Sequence, residues 1–467
     1  MNEALHIIVL AAGEGKRMQS ARAKVLQPLG GEPMLQHVLA AAAGLEPAAM
    51  HVVIGFDANS VHDVVYTFDE NQPNIDVNHV IQQERLGTGH AVQQAMQRVP
   101  DTARVLVLPG DMPLVRTGTL QQLDAVFRTS GAALVLTSFV AADPQGYGRI
   151  LRAADGQVLA IREQTDVGAE EALIDEVNSG ILMADAARLN GWLGRLNNDN
   201  QQQEYYLTDC IGLAVADGEL VQAEICPDTD ELKGANDSFQ LAELEAVLQQ
   251  QRTCDLMRQG VRMPMPHSVQ IRGLVRVGRD VMIDAGVILE GAVELGDDVI
   301  VGTGSVVRNS RLASGTRIEP YSVLDNAETT GPCAIGPFAR LRPGTIIAEG
   351  CKIGNFVETK NAQFEPSAKA SHLSYIGDTH VGRRANLGAG TITCNYDGVN
   401  KHRTEIGEQA FIGSNSALVA PVKIGSRATI GAGSVITRDV PEASLTLSRA
   451  RQKSLANWNN QKKTSKK

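Results

Sequence analysis

Apolar positions in this chain follow two rhythms, and the change between them falls near the middle. In the first half, unbroken apolar runs alternate with amphipathic stretches. Ile7-Ile8-Val9-Leu10, Val52-Val53-Ile54-Gly55 and Val105-Leu106-Val107-Leu108 are the runs, the pattern of strands covered on both faces of a parallel sheet. Met34 to Ala43 and Gly89 to Val99 read as helices between them. This alternation predicts an α/β domain over residues 1–236, Rossmann-like, with a mostly parallel sheet. Over 237–260, Leu241, Leu244, Val247, Leu248 and Leu256 recur at helical spacing, with Asp237 or Ser238 as cap and Gly260 as stop. That predicts a linker helix.

From Val277 the rhythm becomes a six-residue repeat. Val277, Ile283, Leu289, Leu295 and Val301 each open a unit, and the residue four later is small or β-branched: Val281, Val287, Val293, Val299, Ser305. The phase returns at Ile335, Leu341, Ile347 and Ile353, at Val381 and Leu387, and at Ile406, Ile412, Leu418, Ile424 and Ile430. Hexads of this kind build a parallel β-helix, one short flat side per unit with the aliphatic residue inside. We assign it to 261–450 and the remainder, 451–467, to a basic tail with Lys462, Lys463, Lys466 and Lys467. Two segments, 361–375 and 395–404, lose the phase and are expected to leave the coil as functional loops.

Composition narrows the classes. Glycine is high at 45 and aromatics low at 4%, as suits a turn-rich coil with a slim interior. A net charge of -10 argues against a nucleic-acid binder. The cysteines (Cys210, Cys226, Cys254, Cys333, Cys351, Cys394) form no Cys-x-x-Cys pair, which removes metal-finger and redox-motif readings. No apolar run reaches membrane-spanning length and no signal peptide is legible. The expectation is a cytoplasmic protein with no membrane and no nucleic-acid partner.

Chemistry first appears after the opening strand, in Leu10-Ala11-Ala12-Gly13-Glu14-Gly15-Lys16-Arg17-Met18. A small-residue loop there can turn backbone N–H groups onto phosphates or a base. It matches neither the dinucleotide fingerprint, since Met18 replaces the third glycine, nor a Walker A loop, since Arg17 follows Lys16. Alone it reads equally as a structural turn. Lys16, Arg17 and Lys24 add the positive charge a triphosphate needs. Gln82 and the turn Leu86-Gly87-Thr88-Gly89 follow, and Asp111 stands just past the Val105–Leu108 run. That is the carboxyl end of a strand, where open α/β sheets bind ligands and where a carboxylate suits Mg²⁺.

The Leu-Ala-Ala-Gly-x-Gly-x-Arg-Met loop, Lys24, Gly87-Thr88-Gly89 and Gly110-Asp111 resemble a sugar-nucleotide pyrophosphorylase domain. With the hexads attached, the chain from His6 to about Arg449 resembles a bacterial family: the bifunctional N-acetylglucosamine-1-phosphate uridylyltransferases and glucosamine-1-phosphate acetyltransferases. The resemblance implies that Leu10, Ala11, Gly13, Gln82, Gly87 and Thr88 hold uridine, and that Arg17 and Lys24 act on the UTP phosphates. Gly148, Glu163, Asn178 and Asn236 match sugar-contacting positions, and Asp111 with Asn236 the Mg²⁺ ligands. Two departures stand out: Pro109 where an aromatic residue is usual, and Ala23 in place of a proline.

The polar residues among the later hexads fit a different reaction. Acetyl transfer from a thioester to an amine needs a base near neutrality, a role for histidine. His372 is the candidate, with Glu358 orienting or charging its imidazole. The resemblance implies that Arg342, Lys360, Tyr375, Asn386 and Lys401 hold the sugar phosphate, and that Ala389, Asn395, Tyr396, Ser414, Ala432 and Arg449 contact acetyl-CoA. It further implies a left-handed coil and a homotrimer with sites between subunits. Two rivals remain: a single-activity nucleotidyltransferase whose coil only oligomerises it, and a non-catalytic sugar-nucleotide sensor.

Overall fold

The computed structural model describes residues 3–456 and 458, so the four tail lysines lie outside the described residues. The chain forms two compact units, Met1–Gln249 and Gln250–Lys467, and the helix Ser238–Arg258 spans the division. Asp237 caps that helix, its carboxylate accepting from the Gln240 N–H at 2.9 Å.

The first unit is built on one sheet. Across it the strands run Val221–Ile225, Leu134–Val140, Glu176–Asp185, Arg104–Pro109, Leu5–Ala11, Ala49–Ile54 and Asp76–Ile81. All neighbours pair in parallel except Glu176–Asp185, antiparallel to both sides. The first strand explains its apolar run: Ile7 and Val9 enter one core and Ile8 the other, all fully buried. Helices cover both faces, so neither face has room for a polar alternation. The helix expected to reach Val99 is shorter, Thr88–Met96.

The second unit is a parallel β-helix. One ladder stacks Ile283, Val301, Ile318, Ile335, Ile353, Ala370, Leu387, Ile412 and Ile430. A second carries Leu289, Val307, Leu324, Leu341, Thr359 and Ile376. A third includes Ile347, Phe364, Val381, Ile406 and Ile424. These side chains are buried; removing each aliphatic one from water contributes about 1.5–3 kcal/mol.

One expectation is corrected here. Residues 361–375 do not leave the coil: the strands Glu358–Phe364, Lys369–His372 and Tyr375–Val381 keep its parallel pairing on both sides. The phase is lost to the eye because Thr359, Phe364 and Ala370 fill the interior where aliphatic residues stand elsewhere. Residues 395–404 do depart. Residues 396–401 form an exposed turn closed by a Tyr396–Lys401 bridge, and the coil resumes at Thr404–Ile406. No helix among the described residues is long and apolar enough to cross a membrane.

Candidate functional sites

At the carboxyl ends of the first unit's strands lies a cavity of about 720 Å³. Leu10, Gly13, Lys24, Gln82, Gly87, Thr88, Asp111, Glu163 and Asn178 all line it. Sequence positions far apart meet here because most of them lie on or just past strands of the same sheet. Lys24 ends in this cavity because Gly15, at φ +68°, leaves room: a Cβ there would stand 2.5 Å from that of Lys24. The Lys24 ammonium donates to the Asp111 carboxylate, and at 3.1 Å to the Asn236 side-chain oxygen. Two hard oxygen donors thus already share one positive charge, a donor set that suits Mg²⁺ completed by phosphates and water.

The sugar-side candidates also meet. A Cβ on Gly148 would lie 3.5 Å from the Glu163 carboxylate, and the Gly148 carbonyl accepts from the Asn178 N–H at 2.8 Å. Glu163 is held above the ordinary carboxylate range, chiefly by burial, against the opposing hydrogen bond from Thr208 at 2.7 Å. Pro109 lines the cavity beside Gly180. Two candidates stand differently. Ala11 is buried beneath the loop and its neighbour Ala12 lines the cavity; Arg17 is exposed on the short helix Lys16–Met18 and Lys16 lines the cavity instead.

Sequence reasoning missed the segment Glu204–Thr208. Glu204, Leu207 and Thr208 line the cavity. The Leu207 N–H donates to the Thr88 hydroxyl at 3.1 Å and the Gly89 N–H to the Tyr205 carbonyl at 2.8 Å. The available signal was indirect: Gly87, at φ +107°, would place a Cβ 2.7 Å from that carbonyl, so a second chain segment had to pass there.

In the β-helix the candidates fall into two columns. Arg342 lies beside Lys360 on the next turn, its N–H donating to the Thr359 carbonyl at 2.9 Å. Lys401 stands close to Lys360 and is the first cause holding that ammonium below its ordinary value; Arg342 adds to it. Three cations are thus brought together, with Glu358 paired to Arg342 at 2.9 Å. The Tyr375 hydroxyl packs against Gly377 near Asn395, whose side chain donates to Asp378 at 2.5 Å.

The other column is set by register. His372 pairs with Asn355, and the offsets of the next turns place Ala389, Ser414 and Ala432 successively above His372. Backbone bonds follow the same line: Asn415 N–H to Ala389 carbonyl at 2.7 Å and Gly433 N–H to Ser414 carbonyl at 2.8 Å. The Arg449 guanidinium donates to the Ala432 carbonyl at 2.7 Å. Asn386 sits on the strand Asn386–Leu387 of this face, and Tyr396 is exposed on the departing turn. Glu358, expected to orient or charge the imidazole, makes its side-chain hydrogen bond elsewhere. Its carboxylate accepts from Arg342 at 2.9 Å, while the His372 Nδ1 meets the Asn355 side-chain oxygen at 2.6 Å. Parallel pairing explains this: Glu358 stands level with Tyr375, and Asn355 level with His372.

Residues 7–175 match the family model of the MobA-like NTP transferase domain, and 275–309 and 403–438 match that of the bacterial transferase hexapeptide (six repeats). The bifunctional protein GlmU of Alkalilimnicola ehrlichii is 51% identical over 98% of this chain and 97% of its own length. Those of Xanthomonas oryzae pv. oryzae and Aromatoleum aromaticum are 52% and 49% identical, each over 97% of this chain and 98% of their own. With identity of that order across both units, and a transferase model matched in each, the chain belongs to the GlmU family of bifunctional transferases.

Proposed function

We propose that the two units make UDP-N-acetylglucosamine in sequence: the β-helix acetylates glucosamine-1-phosphate, and the α/β unit couples the product to UTP. In the first step the sugar phosphate sits on Arg342, Lys360 and Lys401, with Tyr375 and Asn386 on the sugar. His372 takes a proton from the amine as its nitrogen attacks the thioester carbonyl of acetyl-CoA, and the CoA thiolate leaves. The column Ala389, Ser414, Ala432 carries the acyl donor, with Arg449, Asn395 and Tyr396 at its margins. The observation that carries this reading is the register of His372 with that column.

In the second step a phosphate oxygen of the acetylated sugar attacks the α-phosphorus of UTP in line and pyrophosphate leaves. Leu10, Ala11, Gly13, Gln82, Gly87 and Thr88 form the uridine side; Gly148, Glu163, Asn178 and Asn236 the sugar side. Lys24 neutralises phosphate charge inside the cavity, and Arg17 acts from its rim. Asp111 and Asn236 would hold Mg²⁺, which when bound offsets the charge that builds on the phosphates. The working enzyme in this reading is a cytoplasmic homotrimer supplying precursors of peptidoglycan and lipopolysaccharide.

Product analysis tests both halves at once. Given glucosamine-1-phosphate, acetyl-CoA, UTP and Mg²⁺, the wild type makes UDP-N-acetylglucosamine, and His372→Ala makes it only from N-acetylglucosamine-1-phosphate. A wild type that also needs the acetylated sugar would leave the coil a scaffold.

A further inference from the structure

General-base work by a neutral imidazole requires one ring nitrogen to be free and the other to carry the proton. What decides between them is the group bonded to the second nitrogen. In this chain that group is an amide. The His372 Nδ1 lies 2.6 Å from Asn355 Oδ1, and the two residues are direct partners in adjacent turns. The contact is anchored from behind, because the Leu373 N–H donates to the Asn355 backbone carbonyl at 3.0 Å. The carboxylate expected to face the imidazole, Glu358, is committed to Arg342.

We infer that Asn355 is the positioning residue of acetyl transfer: its carbonyl oxygen accepts from Nδ1–H of His372 and leaves Nε2 facing the substrate amine as the base. The inference rests on the reading of His372 as that base. An amide acceptor differs from the carboxylate of a Ser-His-Asp array in one respect: it fixes the tautomer and ring plane without adding a charge that would stabilise the imidazolium. The arrangement suits an amine nucleophile, which needs only its proton removed during attack.

Three variants of the full-length enzyme test this, with the guanidinium midpoint of β-helix unfolding as the control for folding of the coil and uridylyl transfer in the same preparations as the control for enzyme amount. Asn355→Ala is expected to lower kcat for acetyl transfer about tenfold or more while KM for glucosamine-1-phosphate stays within about twofold, since the base is misoriented and the phosphate pocket intact. Asn355→Asp, equal in shape, restores orientation but adds charge. It is expected to recover most of the kcat lost in Asn355→Ala and to move the acid limb of the kcat profile up by about one pH unit or more. His372→Ala separates the two ideas. If it keeps acetyl transfer, the base reading falls and the inference with it. If it is inactive while Asn355→Ala retains wild-type kcat, or while Asn355→Asp leaves the pH profile unmoved, the inference alone is overturned.

Discussion

His6 and His51 sit where an imidazolium has no place. They are 8% and 2% exposed, on adjacent strands, with His6 Nδ1 3.0 Å from His51 Nε2. Burial holds both below the ordinary histidine value of 6.5; for His6 the neighbouring His51 lowers it further. Asp76 opposes the shift at both, Asn78 opposes it at His51 through a hydrogen bond, and Arg98 adds to it there. The unfolded chain therefore binds protons that the folded one refuses, so the stability from this pair is complete above about pH 6.5 and is lost as pH falls through the lowered values. The expected result is a denaturant midpoint that falls from pH 7.5 to 5.5 in wild type and falls less in His51→Gln. Equal slopes for the two proteins would assign the acid sensitivity elsewhere. Residue identities such as these were visible in the sequence; their partners were not. His372 was legible as a candidate base from its chemistry, but its contact with Asn355 was hidden because a hydrogen-bond partner one turn away is set by register. Glu358 was the natural guess on charge, yet it stands level with a different residue.

A hexad strand stands or falls with the strands stacked on it. Ile353 is fully buried, below Ala370 and above Ile335 in its ladder. Truncating it leaves a cavity that rigid neighbouring turns cannot close, so Ile353→Ala should destabilise by about 2–5 kcal/mol. The midpoint of β-helix unfolding in guanidinium reads this out, with uridylyl transfer retained at low denaturant. A change under about 1 kcal/mol would mean that the site collapses and that stacking is looser than the ladder indicates. The same ladder shows why element-level reading succeeded and where it stopped. Aliphatic residues at six-residue spacing announce a coil, because interior volume is filled in that rhythm. Thr359, Phe364 and Ala370 fill the same interior with other shapes, so the coil ran on where the pattern lapsed. Buried threonine is tolerated there because Thr345 and Thr359 bond to each other at 3.0 Å. In the α/β unit the strands were legible from unbroken apolar runs, whereas Glu204–Thr208 carries no periodic signal and takes its place only through contacts with Gly87 and Gly89.

At the scale of the whole molecule the two chemistries differ in how completely one chain encloses them. The nucleotidyl-transfer candidates surround a cavity whose lining belongs to the first unit alone. The acetyl-transfer candidates lie on the outside of the coil: His372 is exposed and Tyr396 is 61% exposed. A thioester on such an open face would meet water as readily as the amine, and the cations would be screened by solvent. A second wall is required, and in the homotrimer proposed here a neighbouring β-helix supplies it. Assembly should then control one activity and leave the other alone. On dilution of the enzyme, acetyl transfer per chain is expected to fall over the range in which sedimentation shows trimers giving way to monomers, while uridylyl transfer per chain stays constant. Full acetyl transfer from chains that sediment as monomers would show that a single coil encloses its own site. A parallel loss of both activities would mean that the cavity of the first unit also depends on its neighbours.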